Sequence, residues 1–298
     1  MTQTTKKLNK TYFVTSDIHS FYTPLRQSLD GAGFDVNNPN HILIICGDVF
    51  DRGAETVKLF DFIMSIPKCR RILVKGNHEY LYEELLHKDF PDTHDFSNGT
   101  VKTFCQIAGV DPDSLSLRYW KIKYIEEQIP SFEYVNKPYE VWQNIKEKVK
   151  KSNITKWIKS KEWKNYYELD QYIFVHSFIP AKVKEEYSFE AKLFGEYYLK
   201  EDCFEYDQDW RNSDNWFDAV WGCPWRKYQA GLFAPEVAKG KILVCGHWHA
   251  YDFRIHLNNI KYERDEDIDF STYVSDNLIA LDACTALSGI NNVFVFEK

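Results

Sequence analysis

Three short apolar runs rich in β-branched residues, Tyr12 to Thr15, Ile42 to Cys46 and Ile72 to Val74, each stop at a polar motif and are separated by stretches with helical spacing. This alternation constrains the fold more than any other feature. Runs of this length bounded by Gly, Asp and Asn read as buried strands at 11–16, 41–46 and 71–75. Between them, a helix starting near Pro24 carries Leu25 and Leu29 and ends at Gly31 and Gly33. A second over 54–64 has Val57, Phe60, Phe62 and Ile63 near one face and stops before Pro67; a third begins around His78. A βαβαβ order of this kind implies parallel strands joined by right-handed crossovers, an α/β fold.

In an open α/β sheet, residues just past the carboxyl ends of the strands converge on one crevice. The motifs here are Asp17-Ile-His19, Gly47-Asp48-Val-Phe-Asp51-Arg52-Gly53 and Gly76-Asn77-His78-Glu79. Two later runs, Ile173 to Val175 and Ile242 to Cys245, lead into His176-Ser177 and Gly246-His247-Trp248-His249. Five strand ends thus deliver two aspartates, an asparagine and four histidines that suit a metal. The arrangement reads as a binuclear metal site.

The rhythm breaks from 82 to 168. That segment holds Pro91, Pro112, Pro130 and Pro138, then helical patterns at Val141, Trp142, Ile145 and Val149 and at Ile154, Trp157 and Ile158. With a lysine cluster from Lys146 to Lys151, it reads as a mostly helical insertion within a single domain spanning 1–298. Strand patterns recur at 170–176, 241–246, 251–257, 277–282 and 292–297. A helical stretch covers 188–200, and the Trp-rich segment 208–228 reads as ordered loop with a short helix. Glu263 to Asp269 reads as a solvated acidic loop tip.

Composition excludes several classes. A net charge of −7 argues against wrapping nucleic acid. No stretch reaches the roughly 18 to 20 apolar residues that span a bilayer. The start, MTQTTKKLNK, has no apolar segment of the secretory kind. Seven cysteines without CxxC spacing, with Cys46 and Cys245 inside predicted strands, fit reduced thiols and a cytoplasmic location.

Each motif has a bland reading. Asp17 or Asp48 could cap a following helix, Asp51 and Arg52 could be a surface ion pair, and His176 could be a core histidine. Chemistry gives the sharper one. Asp48 can bridge two cations, and imidazole, carboxylate and amide oxygen suit divalent ions. Arg52 can clamp phosphate oxygens with its planar guanidinium. Asp51 can orient His78, which can titrate near neutrality as a general acid. Tyr124, Tyr134, Trp142, Trp157 and Trp163 could line a substrate pocket or pack as a helical layer.

Together the motifs resemble the calcineurin-like metallophosphoesterase superfamily. GDVFDRG with GNHE is most similar to its serine/threonine phosphoprotein phosphatase branch, which includes bacterial and phage phosphatases and symmetrical diadenosine tetraphosphate hydrolases. The motifs cover residues 17 to 249. The resemblance implies a metallophosphoesterase-type βαβαβ core with mixed sheets flanked by helices. It implies one metal held by Asp17, His19 and Asp48, with His249 added as in the broader superfamily. A second is held by Asp48, Asn77, His176 and His247. It further implies Arg226 as a second phosphate-binding arginine, with Arg211 a competitor. The expected activity is phosphomonoester hydrolysis by in-line attack of a metal-bridging hydroxide, with His78 as acid. Manganese is the first expectation for the two divalent ions, with iron, zinc, cobalt and nickel open. The partner is a phosphorylated substrate, a phosphoprotein or in the alternative a nucleotide, with neither membrane nor nucleic acid expected. A dinucleoside polyphosphate hydrolase is the enzyme alternative, and an inactive scaffold the alternative from another class.

Overall fold

In a computed structural model, which describes residues 9–127, 133–194 and 199–298, strand and helix alternate from the start. The order is β1 (Thr11–Thr15), α1 (Tyr22–Gly31), β2 (His41–Cys46), α2 (Thr56–Ser65), β3 (Arg71–Val74) and α3 (Asn77–Leu85). The parallel pairing of β1 with β2 and β2 with β3 is the expected βαβαβ unit. A helical run follows: α4 (Thr93–Ser97), α5 (Thr100–Ala108), α6 (Leu117–Glu126), α7 (Lys137–Lys151) and α8 (Asn153–Ile158). The chain then returns as β4 (Trp163–Lys164), which pairs parallel to β3.

Next come β5 (Tyr167–Leu169), β6 (Tyr172–Phe174), β7 (Ala181–Val183), α9 (Ser188–Phe194) and β8 (Phe204–Tyr206). The Trp-rich segment supplies α10 (Trp216–Trp221) and α11 (Pro224–Gln229), followed by α12 (Pro235–Ala238). The chain ends with β9 (Ile242–Cys245), α13 (Ala250–Asn258), β10 (Tyr273–Val274), β11 (Leu278–Ala280), α14 (Thr285–Ser288) and β12 (Phe294–Glu297). The start of the chain through 8, Pro130 and residues 195–198 of the expected 188–200 helix lie outside the described residues.

Among the described residues, besides a two-stranded β7-β8 pair, the strands form two five-stranded sheets, ordered β12-β1-β2-β3-β4 and β10-β11-β9-β6-β5. Side-chain alternation explains why they face each other. Along β2, Ile42, Ile44 and Cys46 enter a core shared with Phe174, Val244 and Ile279 of the second sheet. Leu43 and Ile45 point the other way, to Leu25 and Leu29 of α1, Leu59 and Ile63 of α2, and Trp142 and Ile145 of α7. The second sheet repeats the pattern: Ile173, Leu243 and Cys245 meet Trp216, Trp225 and Phe253 on its outer face. Helices, sheet, sheet and helices therefore form four layers, with strands apolar on both faces as buried strands must be. The fold is mixed α/β.

One expected strand is a helix. Tyr251, Phe253, Ile255 and Leu257 alternate with polar residues, but the segment folds as α13, burying Ala250 and Phe253 three residues apart. Short apolar runs carry both periods, and here the turn closed by left-handed Asn259 sides with the helix. Residues 82–85 belong to α3, and 163–169 contribute strands to both sheets. Of the aromatic residues singled out in the helical run, Trp142 and Trp157 pack as core, Trp163 lies half-buried against them, Tyr124 is buried, and Tyr134 is half-buried beside it. Trp142 is buried and stacked on Phe104 at 5.6 Å, and Trp157 lies among Phe50, Phe60 and Trp163.

Candidate metal centre

The polar motifs lie just past β1, β2, β3, β6 and β9, and several of their residues adopt an unusual backbone. Asp17, His19, Asp48, Asp51, Arg52 and His247 all have left-handed φ, from +50° to +77°. Non-glycine residues avoid that region at a cost of about 1–3 kcal/mol each, so the surrounding structure must hold them there. Close approach needs glycine as well. A Cβ on Gly246 would collide with Asp17 Oδ2, and one on Gly76 with Asp48 Oδ1.

Two groups of donors meet at Asp48. His19, Asp48 and His78 bring ligand atoms within 4.8 Å of one another, as do Asp48, His176 and His247. His176 Nδ1 lies 2.9 Å from the Cys46 carbonyl and donates to it. His176 Nε2 then faces Asn77 Oδ1 at 2.8 Å, His247 Nδ1 at 3.2 Å and Asp48 Oδ1 at 3.4 Å. His19 is fixed alike, Nδ1 donating to the Phe50 carbonyl at 3.0 Å and Nε2 facing Asp48 Oδ2 at 3.7 Å. Buried lone pairs facing one another are costly unless a cation sits between them. The residues therefore fit divalent metal.

Electrostatics agree. Burial, then Asp282 and Asp48, raise the Asp17 carboxyl well above its ordinary range. Burial would raise Asp48 too, but His176, His78, His19 and His247 pull it below that range. Burial, reinforced by His78, lowers His19; burial and His176 lower His247 to about 3. These rings are neutral and ready to donate a lone pair. His78 differs. Burial opposes its charge, but Asp48 and the bonded Asp51 outweigh burial and raise it.

Residues 10–251 match the family model for calcineurin-like phosphoesterase. The chain belongs to that family. It is accordingly a hydrolytic phosphoesterase of a metal-dependent kind. No curated protein matches. Among solved structures, a cold-active protein tyrosine phosphatase is 13% identical with a TM-score of 0.47, over 96% of this chain and 73% of that one. A protein serine/threonine phosphatase from Saccharomyces cerevisiae is 12% identical with a TM-score of 0.45, over 97% and 79%. A metallophosphoesterase from Sphaerobacter thermophilus is 11% identical with a TM-score of 0.38, over 92% and 76%. Likenesses this distant decide nothing about substrate. Among the described residues, no helix is long and apolar enough to cross a membrane.

The remaining sequence candidates sit as follows. Asp17 stands beside the two groups, its carboxylate accepting from the His247 amide at 2.9 and 3.1 Å. His249 has its Nδ1 3.3 Å from Asp252 and its Nε2 3.9 Å from Asp282. Burial disfavours a charged His249, but Asp252, Cys284 and Asp282 outweigh that and push it up to about 11. Asp51 Oδ2 lies 2.7 Å from His78 Nδ1. Arg52 is exposed at the mouth, close enough to add to the lowering of His19 and to oppose the rise of His78.

Arg211 pairs with Glu168 at 2.9 and 3.1 Å on the surface and is placed outside the centre. Arg226 lines a cleft of about 510 Å³ with Lys227, Phe204, Phe217, Trp221 and Trp248. The Trp221 ring stands edge-on to His247 at 6.5 Å, so cleft and centre share a wall.

Sequence reasoning missed several participants. Asp282, buried after β11, lies 3.9 Å from His249 and is close enough to Asp17 to raise its carboxyl. Glu79 accepts from the amides of Asp48, Val49 and Gly76 at 3.1, 3.0 and 2.8 Å. Burial and Asp48 push it up to about 7 against those three bonds. Thr100 and Thr103 hold Asp51. Only Glu79 lay within a recognised motif.

Proposed function

We propose that this chain is a phosphomonoesterase with a binuclear metal centre, carried by one domain over 1–298 with 82–168 as a helical insertion. The observation that carries the reading is Asp48, common to both donor groups. Asp17, His19 and Asp48 would hold one ion, with Asp282 beside them. Asp48, Asn77, His176 and His247 would hold the other. Manganese is the first choice. The ions, when bound, supply a nucleophile from water at neutral pH and offset charge on the phosphate.

The chain's own residues do the rest. Arg52 at the mouth and Arg226 in the adjoining cleft orient the phosphate and balance its equatorial charge. Asp51 holds His78 through Nδ1, leaving Nε2 to give a proton to the departing oxygen as the P–O bond breaks. His249, paired with Asp252 and Asp282, steadies Asp282 from behind.

One observation favours the alternative, hydrolysis of a dinucleoside polyphosphate. The cleft beside His247 is lined by four aromatic rings and two cations, suited to a base and its phosphates. A Phe217→Ala variant that loses rate on a dinucleotide but not on a phosphopeptide would support that substrate.

The deciding test is phosphate release from p-nitrophenyl phosphate, with and without Mn²⁺, by wild type and Asp48→Asn. Metal-dependent turnover that vanishes in the variant supports the reading. Turnover that survives the substitution refutes it.

A further inference from the structure

The helical run between β3 and β4 does more than pack against the sheet: its helix α5 grips the loop between β2 and α2 at several points. Thr103 Oγ1 accepts from the Asp51 amide at 3.0 Å and donates to Asp51 Oδ1 at 2.8 Å. Thr100 Oγ1 donates to Asp51 Oδ2 at 2.8 Å, the same oxygen that receives His78 Nδ1. Lys102 Nζ donates to the Arg52 carbonyl at 2.8 Å. Gln106 accepts from the Thr56 amide and donates to the Gly53 carbonyl, both at 3.0 Å. Contact this close needs Gly99, whose φ is +82° and whose missing Cβ would strike the Arg52 backbone.

We propose that Thr100 and Thr103 are positioning residues for His78, anchoring both oxygens of Asp51 so that Oδ2 fixes the imidazole with Nε2 toward the leaving group. This rests on the reading of His78 as general acid. A carboxylate held by one bond can turn about its last torsion, and His78 would follow it. Asp51 here cannot turn, because each oxygen has its own hydroxyl donor and both threonines are fully buried. In the step served, the proton leaves His78 Nε2 for the ester oxygen, and the electron pair of the breaking P–O bond stays on that oxygen. The threonines exchange no proton with substrate. They keep the acid aligned at the moment it is needed.

The experiment compares kcat and KM for p-nitrophenyl phosphate and for glycerol phosphate, in Mn²⁺, across Thr100→Val, Thr103→Val, Thr103→Ser and His78→Asn. A good leaving group needs little protonation, so a misaligned acid slows the alkyl ester selectively. Thr100→Val and Thr103→Val should lower kcat on glycerol phosphate about tenfold and on p-nitrophenyl phosphate less than about threefold, with KM within about twofold. Thr103→Ser keeps the hydroxyl and should recover most of the rate. In a His78→Asn background, Thr100→Val should cost nothing further, because its effect runs through His78.

Equal losses on both esters, or a loss that persists without His78, would overturn the proposal and leave the threonines structural. If Thr103→Val fails to fold, Thr100→Val decides alone, since it leaves the Asp51 amide bonded. Wild type inactive on both esters would bring down the phosphoesterase reading itself, an outcome separable from selective misalignment.

Discussion

Replacing Glu79 perturbs the centre through its backbone and leaves every proposed ligand in place. The side chain is buried and accepts from the amides of Asp48, Val49 and Gly76, tying the loop after β2 to the loop after β3. An unsatisfied buried donor costs about 1–3 kcal/mol. Three such donors at the low end come to about 3 kcal/mol for Glu79→Ala, since water entering the vacated space recovers part of the loss. Relief from burying the carboxyl offsets some of it, so about 2–3 kcal/mol is expected. For a chain of 298 residues that is a fall in Tm of about 3–5 °C. Glu79→Gln keeps the shape, but its NH₂ group meets amide donors, so about 1–2 kcal/mol should be lost. The assay is urea unfolding in EDTA, read as a shift in midpoint at constant m. A Glu79→Ala protein within about 0.5 kcal/mol of wild type would show that the three amides do not depend on this carboxyl, and Glu79→Gln proving the worse of the two would show the same.

Three further outcomes are expected. Asp282→Asn removes one of three buried carboxyls, Asp17, Asp48 and Asp282, that repel in the metal-free protein; it should raise Tm in EDTA while weakening Mn²⁺ binding, both measured on one preparation. Arg226→Ala should lower kcat/KM on p-nitrophenyl phosphate by about tenfold or more, whereas Arg211→Ala should leave it unchanged and cost under about 1 kcal/mol. Glu168 is held below its ordinary range by Arg211 and Lys241, so that small stabilisation is present above the unfolded carboxyl pKa and lost as pH falls through the lower folded value. Trp142→Ala should cost about 3–5 kcal/mol by opening a cavity against Phe104, but Trp142→Phe under about 1.5 kcal/mol, because the indole N–H has no partner to lose; urea midpoints decide both.

The βαβαβ start and the five strand-end motifs were legible because strand period, turn residues and ligand chemistry all point the same way there. Asp48, Asn77, His176 and His247 lie together because each follows a strand of one of two facing sheets. What escaped was information carried by tertiary contact. Thr100 and Thr103 look like ordinary helix residues until α5 is laid against Asp51, and nothing around Asp282 marks it as lying near His249 and within electrostatic reach of Asp17. The aromatic residues of the helical run drew attention by number, but their spacing fits burial against the sheet equally well. The rings that do line a cleft beside the centre include Phe217 and Trp221 of the Trp-rich segment, together with Phe204 and Trp248. At 251–257 the alternating apolar residues satisfied both periods, and only packing on the second sheet chose the helix.

The proposed function stands or falls on one carboxylate, Asp48, serving two ions. Calorimetric titration of metal-free protein with Mn²⁺ counts the divalent ions bound per chain. Two ions on wild type and the loss of both in Asp48→Asn are expected. A single ion on wild type, or two ions retained by the variant, would contradict that reading of Asp48.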